Sequence, residues 1–278
     1  MYFLLIYAII QADKLFVKNI SHVERINMKL QQVLSLVRRA VDDYNMIEEG
    51  DCIAVGISGG KDSLTLLYAL SSLRRFYPKK FTLKAITVDL GFQNMNLEKV
   101  EEICKELDIE YRIERTDIAQ IVFDERKEAN PCSLCSKMRK GSLNEAIKEM
   151  GCNKVAYAHH KDDVVETMLL SLMYEGRFHT FSPVTYLDRS GVTIIRPLIY
   201  MHEADVVGFV RRYDIPVVKS PCPADKNTKR EYAHQLMQQF NRENPGVKNR
   251  MFTAIKDSGI KGWSTAANSD ENTDMAHY

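Results

Sequence analysis

The strongest constraint on this chain's fold is Ser58-Gly59-Gly60-Lys61-Asp62-Ser63, set between an apolar run and an amphipathic one. The run before it, Cys52–Ile57 (CIAVGI), is short, largely apolar and has the character of a buried strand. After it, Ser63–Tyr77 carries Leu64, Leu67, Leu70 and Leu73 at helical spacing. Paired glycines let backbone N–H groups close on an anion, and the helix that follows turns further N–H groups and its positive dipole end toward the same point. Lys61 adds a full charge and two serines add hydroxyls. A strand, an anion cradle and a helix point to a nucleotide phosphate. The plainer alternative is a glycine turn whose Asp62 or Ser63 caps the helix.

The known cradles narrow the chemistry. Neither the G-x-x-x-x-G-K-S/T loop of nucleotide kinases nor the dinucleotide G-x-G-x-x-G is present. The loop resembles the SGGxDS pyrophosphate loop of N-type ATP pyrophosphatases, which cleave ATP between its α and β phosphates and adenylate a substrate.

Strand and helix patterns alternate beyond the loop. Thr82–Leu90, Glu110–Glu114, Lys154–Ala158, Val192–Ile195 and Pro216–Val218 are expected as strands. Asn96–Leu107, Lys137–Met150, Asp163–Tyr174, Glu203–Asp214 and a last helix at Thr228–Glu243 are expected between or after them. Before the loop, Leu30, Val33, Val37, Val41 and Tyr44 form one helical stripe. The fold class is therefore α/β, with a doubly wound, mainly parallel sheet and helices on both faces. Ligands in such sheets bind beyond the carboxyl ends of the strands, which gathers the Ser58 loop, Asp89 and His159-His160 at one crevice.

A single domain is expected over 28–262, with the C-x-x-C segment inserted in it and a frayed tail at 263–278. Tyr2–Ile10 is continuously apolar, yet too short to span a bilayer and without the basic flank of a secretory signal. Residues 1–27 are accordingly expected to be an extension, disordered or preceding a true start at Met28. Lys and Arg number 38 against 37 Asp and Glu, so no global field draws nucleic acid. Binding to RNA must rest on local patches such as Arg74-Arg75, Lys137–Lys140 and Lys226–Arg230.

Of six cysteines, Cys52, Cys104 and Cys152 fall in or beside regular elements and are expected as small apolar filler. Cys132 and Cys135 form a C-x-x-C expected in a loop between helical segments, and Cys222 lies in a later loop flanked by prolines. Four readings compete for these three. A zinc site wants a fourth ligand, a thioredoxin-like pair would come beside the first strand–helix unit, and structural disulfides do not suit a chain without a secretion signal. An iron–sulfur cluster on three thiolates leaves one iron without a protein ligand. Spacing alone leaves these open.

Several motifs in order resemble the tRNA 2-thiocytidine synthetase family within the pyrophosphatases. They are SGGKDS, CSLC with Arg139-Lys140-Gly141 behind it, AHHKDDVVET at Ala158–Thr167, RPLIYMHEADV at Arg196–Val206, Cys222, and KREY at Lys229–Tyr232. The likeness runs from Met28 to about Ser258. It implies an adenine nucleotide alpha hydrolase-like fold, ATP and Mg2+, and an oxygen-sensitive [4Fe-4S] cluster on Cys132, Cys135 and Cys222. It also implies that the C2 oxygen of cytidine 32 in the tRNA anticodon loop is adenylated and then replaced by sulfur, with loss of AMP and pyrophosphate. Some relatives carry a further cysteine three places beyond the third ligand, where this chain has Asp225.

On that resemblance Ser58, Gly59, Gly60, Lys61, Asp62 and Ser63 hold the pyrophosphate end of ATP, and Asp89 or Asp62 shares magnesium. His159 and His160 position ATP or handle protons, and Asp162, Asp163 and Arg139 are the catalytic candidates. The competing role for the acidic pair is helix capping, with the histidines packed beside it. Implied partners are tRNA, a cysteine desulfurase or free sulfide as sulfur donor, and a second copy in a homodimer, in the cytoplasm and away from membranes. Alternatives are 2-thiolation of another tRNA base, a lysidine-synthetase-like adenylating enzyme without iron, and an iron–sulfur redox sensor that binds RNA.

Overall fold

Alternation along the strands accounts for the architecture. In β1 (Asp51–Gly56), Ile53 and Val55 enter one apolar core, while Cys52 and Ala54 face another. In β2 (Phe81–Asp89), Phe81, Leu83 and Ala85 join the first core, and Ile86 and Val88 the second. A strand apolar on both faces must be covered on both, which is the mark of a parallel α/β sheet. The structure, a computed structural model of the chain, describes residues 28–92, 96–127, 131–218, 221–223 and 228–265. The expected extension at 1–27 and nearly all of the expected tail lie outside them.

The sheet has the order β3-β2-β1-β4-β6-β5, with β3 at Glu110–Arg115, β4 at Lys154–Ala156, β5 at Val184–Leu187 and β6 at Val192–Ile195. All neighbours are parallel except β5, which pairs antiparallel with β6 at the edge. The first core is covered by α1 (Leu30–Asp43), α2 (Lys61–Leu73), α3 (Glu98–Glu106) and the later helices. Those are α5 (Lys161–Glu175), α6 (Glu203–Arg212), α7 (Lys229–Glu243) and α8 (Val247–Asp257). Leu143, Ala146 and Ile147 of α4 (Pro131–Glu149) and Val122 of a π-helical turn (Gln120–Glu125) cover the second. The strand order reverses direction between β1 and β4, so the crevice opens at their carboxyl ends, where such sheets bind ligands.

Four expectations need correction. The C-x-x-C pair is not in a loop but in the first turn and a half of α4, which begins at Pro131; proline is well suited to a helix's first position. Pro216–Val218 forms no strand, although the Val218 N–H donates to the Gly59 carbonyl at 2.9 Å. The helix at Lys229–Glu243 is not the last, since α8 follows Gly246 and buries Phe252 and Ile255. Trp263, on the tail side of the expected boundary, is 1% exposed and stacks edge-on against Phe252 and Tyr44.

Candidate active site

The pyrophosphate loop is built by its own short contacts. Ser63 Oγ donates to the Gly60 carbonyl at 3.0 Å and accepts the Ser58 N–H at 3.2 Å, while Ser58 Oγ accepts the Gly60 N–H at 3.3 Å. Gly59 has φ +78°, and a Cβ added there would stand 2.8 Å from Val218 Cβ. Only glycine meets both the backbone angle and the close approach.

Lys61 Nζ lies 3.0 Å from Asp62 Oδ2 and 3.1 Å from Glu203 Oε1 at the start of α6. Burial alone would lower its pKa; the two carboxylates outweigh that and raise it, so the ammonium stays charged. Asp62 Oδ1 is buried without a hydrogen-bond partner and faces His160 Nε2 at 3.7 Å.

The expected His-His-Asp-Asp cluster divides into distinct roles. His160 is the N-cap of α5: its Nδ1 accepts the Asp163 N–H at 3.4 Å, and Asp163 Oδ2 accepts the His160 N–H at 2.9 Å. Nδ1 is thereby occupied as an acceptor, which leaves Nε2 to carry the proton toward Asp62. Asp163 also meets Arg230 at 3.5 Å. The capping alternative therefore describes both residues, and they still border the loop.

Asp162, a catalytic candidate, is also an anchor between helices. It is 3% exposed and takes Lys248 Nζ at 2.6 Å, the Glu203 N–H at 2.9 Å and His202 Nδ1 at 3.3 Å. Burial would push its carboxyl up; His202, Lys248 and the Glu203 amide overcome this and hold it far below the usual carboxylate range. The carboxylate ties α5, α6 and α8 together.

His159 is not a proton carrier near neutrality. Burial, with help from Arg196, Arg230 and His160 against Asp163, pulls its pKa down to about 3. Its Nδ1 accepts from Arg196 Nε at 3.3 Å, and its ring packs 4.7 Å from Phe181 and edge-on to Tyr157. Asp89 closes the end of β2, where Oδ1 accepts the Gly91 N–H at 3.0 Å.

The cysteines approach the same crevice. On α4, Cys132, Cys135 and Arg139 share a face at i, i+3 and i+7 spacing. Burial raises the Cys135 thiol pKa, Arg139 opposes the rise, and Cys222 and Cys132 add to it. Arg139 also acts on Tyr157, just past β4. Among the described residues no three such side chains close into a metal-binding group. The donor set, all sulfur, suits iron–sulfur or zinc rather than magnesium. Sequence reasoning missed Glu203, His202 and Lys248, and also Glu166, a buried carboxylate 2.7 Å from His234 Nδ1. A helix-opening His-Glu in the R-P-L stretch was the available signal for the first two.

Comparisons with known proteins agree with this geometry. The PP-loop domain family (ATP_bind_3) matches residues 24–240. A tRNA-cytidine(32) 2-sulfurtransferase of Geobacter metallireducens is 37% identical over 230 residues, covering 82% of this chain and 90% of that protein. One from Syntrophotalea carbinolica is 36% identical over 248 residues, covering 85% and 96%. The solved U34-tRNA thiolase NcsA of Methanococcus maripaludis, which holds a [4Fe-4S] cluster, superimposes with TM-score 0.67 at 25% identity, covering 81% of this chain and 77% of that one.

Proposed function

This chain belongs to the tRNA-cytidine(32) 2-sulfurtransferase family of PP-loop proteins, and from that premise we propose that it replaces the C2 oxygen of cytidine 32 in tRNA with sulfur at the expense of ATP. What supports the reading is the joining of two chemistries: the Cys135 thiol interacts with those of Cys132 and Cys222, and Val218, four residues before Cys222, is hydrogen-bonded to Gly59 of the pyrophosphate loop.

The residues divide the work as follows. Backbone N–H groups of the loop, the Ser58 and Ser63 hydroxyls and Lys61 take the pyrophosphate, and Lys61 brings its charge already oriented by Asp62 and Glu203. The unpartnered Asp62 Oδ1 is the oxygen that would hold magnesium. The cytosine O2 attacks the α phosphorus and pyrophosphate leaves; sulfur then adds at C2, and AMP departs with the old oxygen. Cys132, Cys135 and Cys222 would hold the cluster, which when bound offers an iron free of protein ligands for sulfur. Arg139, beside Cys135, supplies positive charge to the thiolates and to phosphate oxygens of adenylate or RNA. Free sulfide or a cysteine desulfurase provides the sulfur, and the working form is a cytoplasmic homodimer. No helix among the described residues is long and apolar enough to cross a membrane.

Nucleoside analysis of tRNA from cells lacking the protein tests this. The expected result is loss of 2-thiocytidine alone, restored by the intact gene; unchanged 2-thiocytidine overturns the reading.

A further inference from the structure

The amino end of the sheet, opposite the crevice, carries a second thiol pair that the proposed reaction does not use. Cys52 is the second residue of β1 and Cys152 sits just before β4, and their sulfurs are 3.1 Å apart. Their backbones are pinned side by side: the Asn153 N–H donates to the Cys52 carbonyl at 3.1 Å, and the Cys52 N–H donates to Asn153 Oδ1 at 2.9 Å. Asn153 is itself held by Asp51 at 2.7 Å, so neither cysteine can swing away without breaking the end of the β1–β4 pairing. Both side chains face the second core, as does Lys84 of β2, whose ammonium interacts with both thiols. Burial and the adjoining Cys52 sulfur raise the Cys152 thiol pKa, and Lys84 opposes that rise only in part, so Cys152 rests as the protonated thiol. Cys52 is partly exposed and Cys152 buried, so one sulfur is open to a small reagent and the other waits behind it.

We propose that Cys52 and Cys152 form a reversible disulfide, a redox modification site that reacts with small hydroperoxides. The Cys52 thiolate attacks one peroxide oxygen; the O–O bond breaks, and the departing hydroxide takes a proton as water. Cys52 is then a sulfenic acid. The Cys152 sulfur attacks Cys52 Sγ, forming the S–S bond as the S–O bond breaks, and the leaving hydroxide carries off the Cys152 proton as a second water. Two thiols have lost two hydrogens, and one hydrogen peroxide has become two waters. A thiol reductant reverses the change by exchange. The product staples β1 to the start of β4 across a hundred-residue separation, which restrains the unfolded chain while leaving the crevice untouched. The pair is a property of this chain's own cysteines and stands whether or not the enzyme acts on tRNA.

The test is peptide mapping of the full-length protein after hydrogen peroxide, with remaining thiols alkylated in denaturant. The expected result is a peptide linking Cys52 to Cys152, lighter by two hydrogens and lost on reduction, with Cys104 still alkylated as the internal control. Oxidation should also raise Tm by roughly 5–10 °C in wild type and not in Cys52→Ser. Recovery of both Cys52 and Cys152 as alkylated residues, at doses that oxidise Cys132, overturns the proposal. So does an equal Tm rise in Cys52→Ser.

Discussion

The two halves of the crevice are prepared to different degrees. On the nucleotide side the side chains already have partners: Lys61 meets Asp62 and Glu203, the His160 ring accepts the Asp163 N–H, and Asp162 meets Lys248 and His202, while Asp62 Oδ1 has no hydrogen-bond partner. On the cysteine side the Cys135 thiol interacts with Arg139, Cys222 and Cys132, and among the described residues no three such side chains close into a metal-binding group. The difference teaches where the binding energy of each ligand goes. A triphosphate meets a site whose donors are in place, so its binding is spent on the reaction rather than on ordering the protein. A cluster must itself pull its ligands together, so the order of that half depends on the metal.

The sharpest way to break this contrast is Cys222→Ala. It should abolish iron retention and thiolation while ATP affinity, read by calorimetry, stays within about twofold; a parallel loss of ATP binding would mean the two halves are not separable. Next comes Asp162→Ala, which strands the half-buried Lys248 ammonium. About 3–5 kcal/mol of stability should be lost in urea unfolding, and a large loss of turnover without loss of stability would place the residue in the chemistry. Gly59→Ala should cost about 1–3 kcal/mol in ATP binding, because a methyl at positive φ must displace Val218. Unchanged affinity would show that the Val218 contact is incidental.

The remaining expected effect concerns pH. The folded-state pKa of His159 is depressed to about 3, so its contribution to stability is full above the unfolded value near 6.5. It is lost progressively as pH falls from there toward 3. Wild type should therefore lose a few kcal/mol over that window, and His159→Gln should show a flatter curve. Equal slopes would mean that the imidazole is not the buried neutral group described.

What could be read from residues alone follows the range of the interactions. The strand–loop–helix around Ser58 was legible because its signals, paired glycines and leucine spacing, are local. The parallel sheet was legible from the alternation of strand and helix patterns along the chain. The roles of Asp162 and Asp163 were not: adjacent carboxylates were separated only by partners at positions 202, 203, 230 and 248. Pro131 did signal that the C-x-x-C begins a helix, and Val247, Met251, Phe252 and Ile255 carry the spacing of α8. The edge strand β5 escaped because only four residues form it and Tyr186 points to solvent. Nothing along the chain marks Cys52 as the neighbour of Cys152; register across β1 and β4 creates that pair.

The account turns on one crevice holding both chemistries. An anaerobic crystal structure of the iron-loaded protein with a non-hydrolysable ATP analogue tests it most directly. It should show one cluster bound by the sulfurs of residues 132, 135 and 222, and the phosphate tail resting on Gly59 and Gly60. A cluster without the 222 sulfur, or a nucleotide bound away from that loop, would contradict it.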